Sequence, residues 1–294
     1  MKDFNIKGTG VAMITPFDKQ GNVDFTSFGK LINHLIDGGV DYLLCLGTTS
    51  EYPTLTEKEM LAIKDFTLET VNNRVPIVLG VGGNNTRDVI NHITRDNFQG
   101  FSAILSVAPY YNKPTQKGLY THFRNVASSC PLPVIIYNVP GRTGSNLSAE
   151  TTLQLAEDCE NIIGIKEASG NMSQCMEIIR NKPKGFELTS GEDALTLPLI
   201  TCGAKGVVSV TANAFPKQVS DMVNLALKDN CKKAAALHNA LLPFTKAIFE
   251  EGNPCGIKAA LDIMDIAQNN VRLPLVKVSK QLYNKIASII KDIK

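Results

Sequence analysis

The segment Val134-Ile135-Ile136-Tyr137-Asn138 is a run of β-branched apolar residues that ends in two polar side chains. Apolar residues on both faces are typical of a strand buried on both sides in a parallel sheet. Seven further short runs of similar character lie along the chain, and amphipathic stretches separate them. Together they predict eight strands, at Gly10–Thr15, Tyr42–Leu46, Pro76–Leu79, Ala103–Val107, Val134–Asn138, Ile162–Lys166, Glu187–Ser190 and Gly206–Ser209.

The stretches between these strands predict helices, several of which begin at plausible N-caps such as Thr56 with Glu59 and Ser148 with Thr151. Eight strand–helix units at a spacing of roughly 20–35 residues are typical of repeated βαβ motifs. A doubly wound open sheet is one possible arrangement, but an uninterrupted count of eight favours a closed (β/α)8 TIM barrel. The predicted helices lie near residues 24–37, 56–72, 85–97, 116–129, 148–158, 171–181, 193–202 and 214–227.

The sequence after the eighth unit predicts a C-terminal helical extension. We expect the barrel to occupy residues 1–228, and we expect residues 229–294 to pack on it as a few helices and to shape an oligomer interface. These elements are too few for an independent large domain. The predicted helices lie near 230–251, 255–268 and 278–292, with a break at Arg272-Leu273-Pro274.

The composition disfavours several classes of function. Thirty Lys and Arg residues nearly balance 28 Asp and Glu residues and Trp is absent, so nucleic-acid binding is a poor prediction. No apolar run approaches the ~18 residues of a membrane span, and Met1–Gly8 has no apolar signal region. The seven cysteines form no CxxC pair and the four histidines no HxH or HExxH motif, so no metal site is indicated. We therefore expect a cytoplasmic protein with free buried thiols.

Two further motifs argue against bound nucleotides and phosphates. The glycine-rich segment 80–85 lacks the third glycine of a dinucleotide-binding loop, so we interpret it as a tight turn. The loop after the seventh strand, where many barrels bind phosphate, carries Glu192 and Asp193, which repel an anion.

Lys166 carries the sharpest chemical signal, because it is the only lysine at the C-terminal end of a predicted strand, where barrel active sites lie. Apolar walls disfavour the charged form of a lysine, and the neutral amine attacks a carbonyl to form a Schiff base. An ion pair with Glu167 or another carboxylate is the alternative explanation, and position alone does not separate it from the catalytic one.

Polar residues at neighbouring strand ends fit the same chemistry. Tyr137 has an unperturbed pKa of ~10, so it needs a hydrogen-bonded chain to relay protons, and Thr48 and Tyr111 can supply one. Arg142 can hold a substrate carboxylate through two hydrogen bonds, and Thr48 and Thr49 offer groups for a second carboxylate. Each residue also has an ordinary structural explanation, as a buried tyrosine, a surface arginine or part of a turn.

Three motifs together resemble one family. They are Gly47-Thr48-Thr49-x-Glu51, Tyr137-Asn138-Val139-Pro140-x-Arg142-Thr143 and Gly164-Ile165-Lys166-Glu167-Ala168. In combination they resemble the dihydrodipicolinate synthases, which are pyruvate-dependent class I aldolases and lyases. The resemblance runs from Thr15-Pro16 to Arg272-Leu273-Pro274. One departure is Ser50-Glu51-Tyr52, where the family usually has Gly-Glu-Ser.

The resemblance implies a lyase that condenses pyruvate with L-aspartate 4-semialdehyde to 4-hydroxy-tetrahydrodipicolinate, in lysine and diaminopimelate biosynthesis. It implies no cofactor, and a homo-oligomer that is a dimer or a dimer of dimers (a homotetramer). By this resemblance Lys166 forms the Schiff base, Tyr137 transfers protons, and Thr48 completes the relay with a Tyr111 that reaches in from a neighbouring subunit. Thr49, Gly191 and the backbone of Val208 would hold pyruvate, and Arg142 would bind the carboxylate of the aldehyde.

Two other functions stay open at this point. A sister pyruvate lyase, such as an N-acetylneuraminate lyase or a 2-keto-3-deoxy sugar acid aldolase, would share Lys166 and Tyr137 but generally lacks an arginine at the position of Arg142. A non-catalytic barrel that senses a keto acid would not need Lys166 or Tyr137, and both are present.

Overall fold

Eight parallel strands close into a barrel at the centre of the molecule, in a computed structural model that describes residues 4–293. Each strand pairs with the next one along the chain, and β8 closes the barrel by pairing with β1. The predicted (β/α)8 barrel is confirmed, and the open-sheet alternative is wrong. The strands are β1 (Gly8–Ala12), β2 (Tyr42–Cys45), β3 (Ile77–Gly80), β4 (Ala103–Val107), β5 (Val134–Asn138), β6 (Ile162–Glu167), β7 (Glu187–Ser190) and β8 (Gly206–Ser209).

Helices surround the barrel, and the last three of them form the C-terminal extension, which packs through α10 on α9. The predicted N-caps are confirmed: Thr56 accepts a hydrogen bond from the backbone N–H of Glu59, and Ser148 accepts one from Thr151. The helices are α1 (Phe25–Asp37), α2 (Glu57–Val71), α3 (Thr86–Arg95), α4 (Gln116–Ser129), α5 (Pro140–Thr143), α6 (Ala149–Asp158), α7 (Met172–Asn181), α8 (Thr196–Thr201), α9 (Pro216–Leu227), α10 (Cys231–Phe249), α11 (Cys255–Ile263) and α12 (Lys280–Ile293).

Several predicted elements differ from the observed ones; the helix predicted at 255–268, for example, ends at Ile263. β1 covers Gly8–Ala12 rather than Gly10–Thr15, because the backbone N–H of Ile14 leaves the sheet and donates to the side chain of Asn213. The helix predicted at 193–202 is divided into a 3₁₀ turn and α8. Asp193 begins that turn, and its carboxylate accepts hydrogen bonds from the segment after β8.

Three further expectations concern the surface and the chain ends. All seven cysteines are free, but Cys202 and Cys231 are exposed, so the prediction of buried thiols is wrong for these two. Within residues 4–293, no helix has the length and apolar character needed to cross a membrane. Residues 1–3 of the segment Met1–Gly8 lie outside the described residues.

Barrel closure requires a very close approach between β1 and β8. Gly8 pairs with Gly206, and a Cβ atom on Gly206 would lie 1.9 Å from the backbone oxygen of Gly8. The atoms that the Cβ would meet belong to the backbone of Gly8, so no side chain can rotate away to relieve the clash. The absence of a side chain at Gly206 is therefore a condition for closing the sheet.

We predict that Gly206→Ala lowers the free energy of unfolding by at least about 2 kcal/mol, because the two strands must move apart. Denaturant unfolding followed by circular dichroism measures the change. Gly29→Ala is the matched control, since a Cβ there meets only an ordinary contact with Phe66 at 3.5 Å inside α1. The control is expected to be neutral or to stabilise by about 0.5–1 kcal/mol. Equal stability of Gly206→Ala and the unsubstituted protein would contradict the prediction.

Candidate active site

A cavity of about 250 Å³ opens at the C-terminal ends of the strands. Its wall combines apolar side chains, such as Leu105 and Val107, with the polar groups of Thr48, Tyr137 and Arg142. An apolar pocket with a few convergent polar groups is the usual form of a small-molecule site. Three of the eight predicted site residues therefore line one cavity.

Lys166 lies directly beside Tyr137, because the two residues are paired across β5 and β6. Its Nζ atom is 4.2 Å from the centroid of the Tyr137 ring, and both side chains are buried. Burial lowers the pKa of Lys166 to about 8; nearby Asp193 and Glu192 oppose this effect and Arg142 reinforces it. At that pKa about a tenth of the amine is neutral at pH 7. A buried amine with a lowered pKa has the character that nucleophilic attack on a carbonyl requires.

The alternative explanation of Lys166 as the ion-pair partner of Glu167 is wrong. Successive residues of a strand point to opposite faces of the sheet, so Lys166 and Glu167 diverge. The carboxylate of Glu167 accepts hydrogen bonds from Asn138 Nδ2 at 3.0 Å, Gln174 Nε2 at 2.9 Å and the Ser169 N–H at 2.7 Å. Glu167 therefore connects β5, β6 and α7 outside the barrel, and Lys166 remains available inside it.

Tyr137 and Thr48, two members of the predicted proton relay, both line the cavity. Burial raises the pKa of Tyr137, while the positive charge of Arg142 and a hydrogen bond with Thr48 counteract that rise. A phenol in such surroundings stays protonated at neutral pH, so it exchanges protons through a partner rather than by ionising freely. Thr48 lies at the start of the turn after β2, and its part in a relay stays a prediction.

Within the described residues 4–293, Tyr111 does not line the cavity of its own chain. Its side chain is 88 % exposed, and its backbone has a φ of 77°. The backbone N–H donates to the carbonyl of Thr143 at 3.3 Å, which ties the loop to the segment after β5. The neighbouring Tyr110 lines the cavity instead. The expectation that Tyr111 projects away from its own barrel agrees with this geometry, and its action on a second subunit stays a prediction.

The three residues predicted to hold pyruvate have different surroundings. Gly191 lies against Lys166, and a Cβ atom there would be 3.0 Å from Lys166 Cε, so glycine leaves room for the lysine. Val208 is buried in β8. The hydroxyl of Thr49 is directed into the protein, where it accepts a hydrogen bond from Asn253 Nδ2 at 3.0 Å.

The structure of the threonine loop, Gly47–Glu51, shows how a serine is accommodated at position 50, where the family usually has glycine. Residues Thr48–Ser50 form one 3₁₀ turn, and the buried hydroxyl of Ser50 donates to the Gly47 carbonyl at 2.6 Å. The side chain at position 50 therefore closes the turn from within and does not project toward the cavity.

Several residues that hold this site were missed by the sequence reasoning. Asn253 contacts both sides of the cavity mouth, since its carbonyl accepts a hydrogen bond from Arg142 Nη2 at 3.3 Å and its amide binds Thr49. Lys258 is fully buried and forms an ion pair with Glu51. A signal for Lys258 was present, because a lysine among the apolar residues of α11 requires a buried partner. The partner itself is 207 positions away in the sequence and carries no local signal.

Asp193, which the sequence analysis interprets as a group that repels phosphate, also has a structural role. Its buried carboxylate accepts hydrogen bonds from the Ser209 hydroxyl and from the N–H groups of Val210 and Thr211, at 2.9 and 3.2 Å. These contacts fix the end of β8. Burial raises the pKa of Asp193, and the hydrogen bonds and Lys166 counteract that rise.

The chain is similar to proteins of known function over its whole length. The model of the dihydrodipicolinate synthetase family matches residues 5–293. The 4-hydroxy-tetrahydrodipicolinate synthase of Parabacteroides distasonis is 48% identical over 100% of this chain and 99% of its own length. The corresponding enzyme of Bacillus subtilis is 42% identical over 98% of this chain and 100% of its own.

A solved structure gives the same result. The dihydrodipicolinate synthase of Acinetobacter baumannii, a structure complexed with pyruvate, superposes with a TM-score of 0.95 at 37% identity, covering 98% of this chain and 99% of that one. The family model, the relatives and the fold agree along nearly the entire sequence. The chain belongs to the dihydrodipicolinate synthetase family.

Proposed function

We propose that this protein condenses pyruvate with L-aspartate 4-semialdehyde to give 4-hydroxy-tetrahydrodipicolinate. The observation that carries the proposal is a buried lysine, Lys166, whose Nζ atom lies 4.2 Å from the ring of Tyr137, a residue that lines the cavity together with Arg142. Family membership and the names of the curated relatives favour this synthase over a sialic acid or sugar-acid lyase. They equally favour an enzyme over a keto-acid sensor.

The proposed reaction begins at the amine of Lys166. Nζ attacks the C2 carbonyl of pyruvate, and the resulting carbinolamine loses water to form an imine. Loss of a methyl proton gives an enamine, whose terminal carbon attacks the aldehyde carbon of the second substrate. The amino group of that substrate then attacks the imine carbon and displaces Lys166, which closes the ring and retains the new hydroxyl group.

Each step moves a proton, and Tyr137 is the group placed to move it. Its ring lies 4.2 Å from Lys166 Nζ and lines the cavity, and this proximity supports the role. Thr48 passes the proton onward. The roles proposed for Thr49, Gly191 and the Val208 backbone are to hold pyruvate in this position.

Arg142 is proposed to bind the carboxylate of the aldehyde substrate. It lies in α5 at the rim of the cavity, on the loop that follows Tyr137. A guanidinium forms two parallel hydrogen bonds with a carboxylate, which fixes orientation as well as charge. This contact would place the aldehyde carbon over the enamine.

We further propose a homo-oligomer, assembled as a dimer or a dimer of dimers, in the cytoplasm. Tyr110 and Tyr111 present aromatic surface of the kind enriched in interfaces. The seven unpaired cysteines fit a reducing compartment.

We predict that borohydride reduction in the presence of pyruvate adds the keto acid to Lys166. The initial rate should rise about tenfold per pH unit below pH 8 and level off above it, because only the neutral amine attacks and its pKa is about 8. Peptide mass mapping locates the adduct, and quenched time points from pH 6 to 10 give the profile. An adduct on another lysine, or a rate still rising tenfold per unit at pH 10, would overturn the assignment.

We predict that Arg142→Ala lowers kcat/KM for the aldehyde roughly thirtyfold, which corresponds to a loss of about 2 kcal/mol in transition-state binding. The rate at which pyruvate is trapped on Lys166 should stay within a few-fold of that of the unsubstituted protein. A coupled assay with varied aldehyde measures the first effect and mass spectrometry the second. Arg180→Ala, which removes an exposed arginine from α7 outside the barrel, is the matched control. An unchanged kcat/KM for the aldehyde would refute the role of Arg142.

We predict that Tyr111 completes the relay of a neighbouring subunit. Lys166→Ala lacks the nucleophile and Tyr111→Phe lacks the relay hydroxyl, so each variant alone should be slow or inactive. After subunit exchange, one site of each mixed dimer would combine an intact Lys166 with an intact Tyr111, and activity should exceed the sum of the separate variants. Native mass spectrometry verifies the exchange. Verified exchange without a gain in activity would show that Tyr111 acts within its own chain or not at all.

A further inference from the structure

We propose that the buried ion pair between Glu51 and Lys258 is a positioning device, through which the C-terminal extension holds the threonine loop in its reactive geometry. This inference rests on the proposed function, since it assigns to Thr48 the relay described above. Neither residue touches the cavity in the described structure, and both are therefore positioning residues.

The threonine loop needs support from outside, because its last residue has an unfavourable backbone. Glu51 has a φ of 58° and ψ of 33°, in the left-handed region that a residue with a Cβ atom rarely adopts. Such a conformation persists when the surroundings over-determine it. A loop released from those surroundings would relax and carry Thr48 with it.

The side chain of Glu51 supplies that support by binding the extension with both oxygens. One carboxylate oxygen accepts a hydrogen bond from Lys258 Nζ, and the other accepts one from the backbone N–H of Arg272 at 2.9 Å. The side chains of Glu51 and Lys258 are both 0% exposed. The contact therefore joins the loop after β2 to α11 and to the segment that follows α11.

Lys258 is held equally firmly on its own side. Its Nζ atom donates a second hydrogen bond to the Asn270 carbonyl at 2.9 Å and lies 4.1 Å from the centroid of the Phe17 ring. The ammonium is thus surrounded by an acid, a carbonyl and an aromatic face, and the side chain has no exposed surface. The Glu51 carboxylate therefore has much less conformational freedom than it would have in an exposed ion pair.

The energetics favour a positioning role over a purely stabilising one. Moving two charges out of water has a large desolvation cost, so apolar residues of similar volume often stabilise a protein as well or better. Buried pairs are retained in some proteins because they specify one geometry. Here the geometry specified is that of the turn carrying Thr48 and Thr49, and Thr49 has a second tie to the extension through Asn253.

The test compares Lys258→Met, Glu51→Gln and the double variant with a matched control. Lys182→Met removes the same side-chain type from an ion pair with Glu187, at 2.8 Å, where β7 begins at the opposite end of the barrel. Lys258→Met is expected to lower Tm by roughly 5–15 °C, because it leaves a buried charge unpaired. The double variant is expected to regain most of that loss, since neither charge remains.

The kinetic outcome separates positioning from stability. Although its Tm recovers, the double variant should keep a kcat reduced by about tenfold to a hundredfold, because a small displacement of Thr48 disrupts the relay. KM for the aldehyde should stay within about threefold, as Arg142 lies on a different loop. Lys182→Met should lose Tm but keep its kcat. If the double variant recovers kcat together with Tm, or if the control loses as much kcat, the proposal is wrong.

A second measurement keeps this test separate from that of the proposed function. Hydrogen–deuterium exchange of the peptide covering residues 47–51 should quicken at least about tenfold in the double variant and stay unchanged in Lys182→Met. Exchange of the pyruvate methyl protons with deuterated water reports enamine formation without the aldehyde. An unsubstituted protein that makes no product refutes the proposed function, whereas an unchanged exchange rate at residues 47–51 refutes the positioning role.

Discussion

The parallel register between β5 and β6 places Lys166 beside Tyr137, and the rest of the site depends on that pairing. A shift by one residue would exchange the two faces of the strand, so that Glu167 would point into the barrel and Lys166 toward the helices. The hydrogen bonds that Glu167 makes with Asn138 and Gln174 oppose such a shift from the outer face. The barrel therefore holds the proposed nucleophile in place from both sides of the sheet.

Burial then gives Lys166 its chemical character. The same apolar interior that stabilises the barrel withdraws water from the amine, which lowers its pKa to about 8 against the opposing charges of Asp193 and Glu192. Those charges have a second effect, since Asp193 also anchors the end of β8. Fold stability and reactivity at this site thus come from the same groups.

The C-terminal extension is part of the site rather than only a cover for the barrel. Asn253 contacts Arg142 and Thr49, and Lys258 contacts Glu51, so residues of the extension touch both loops of the cavity mouth. The sequence analysis predicted the helices of the extension and their packing on the barrel. It did not predict these contacts, because an amphipathic pattern shows which face of a helix is buried but not which residue it meets.

The sequence by itself determined the order and type of the elements, because apolar runs and helix caps are local features of each segment. It also predicted the chemistry, because Lys166 and Tyr137 lie near the C-terminal ends of predicted strands and Arg142 follows one, on the side of a barrel where active sites lie. Only the tertiary structure decided that Tyr110 rather than Tyr111 lines the cavity of its own chain, and that Ser50 closes a turn. Only the tertiary structure joined Glu51 to Lys258, because contacts between residues 207 positions apart arise from barrel closure and helix packing, which no local pattern records.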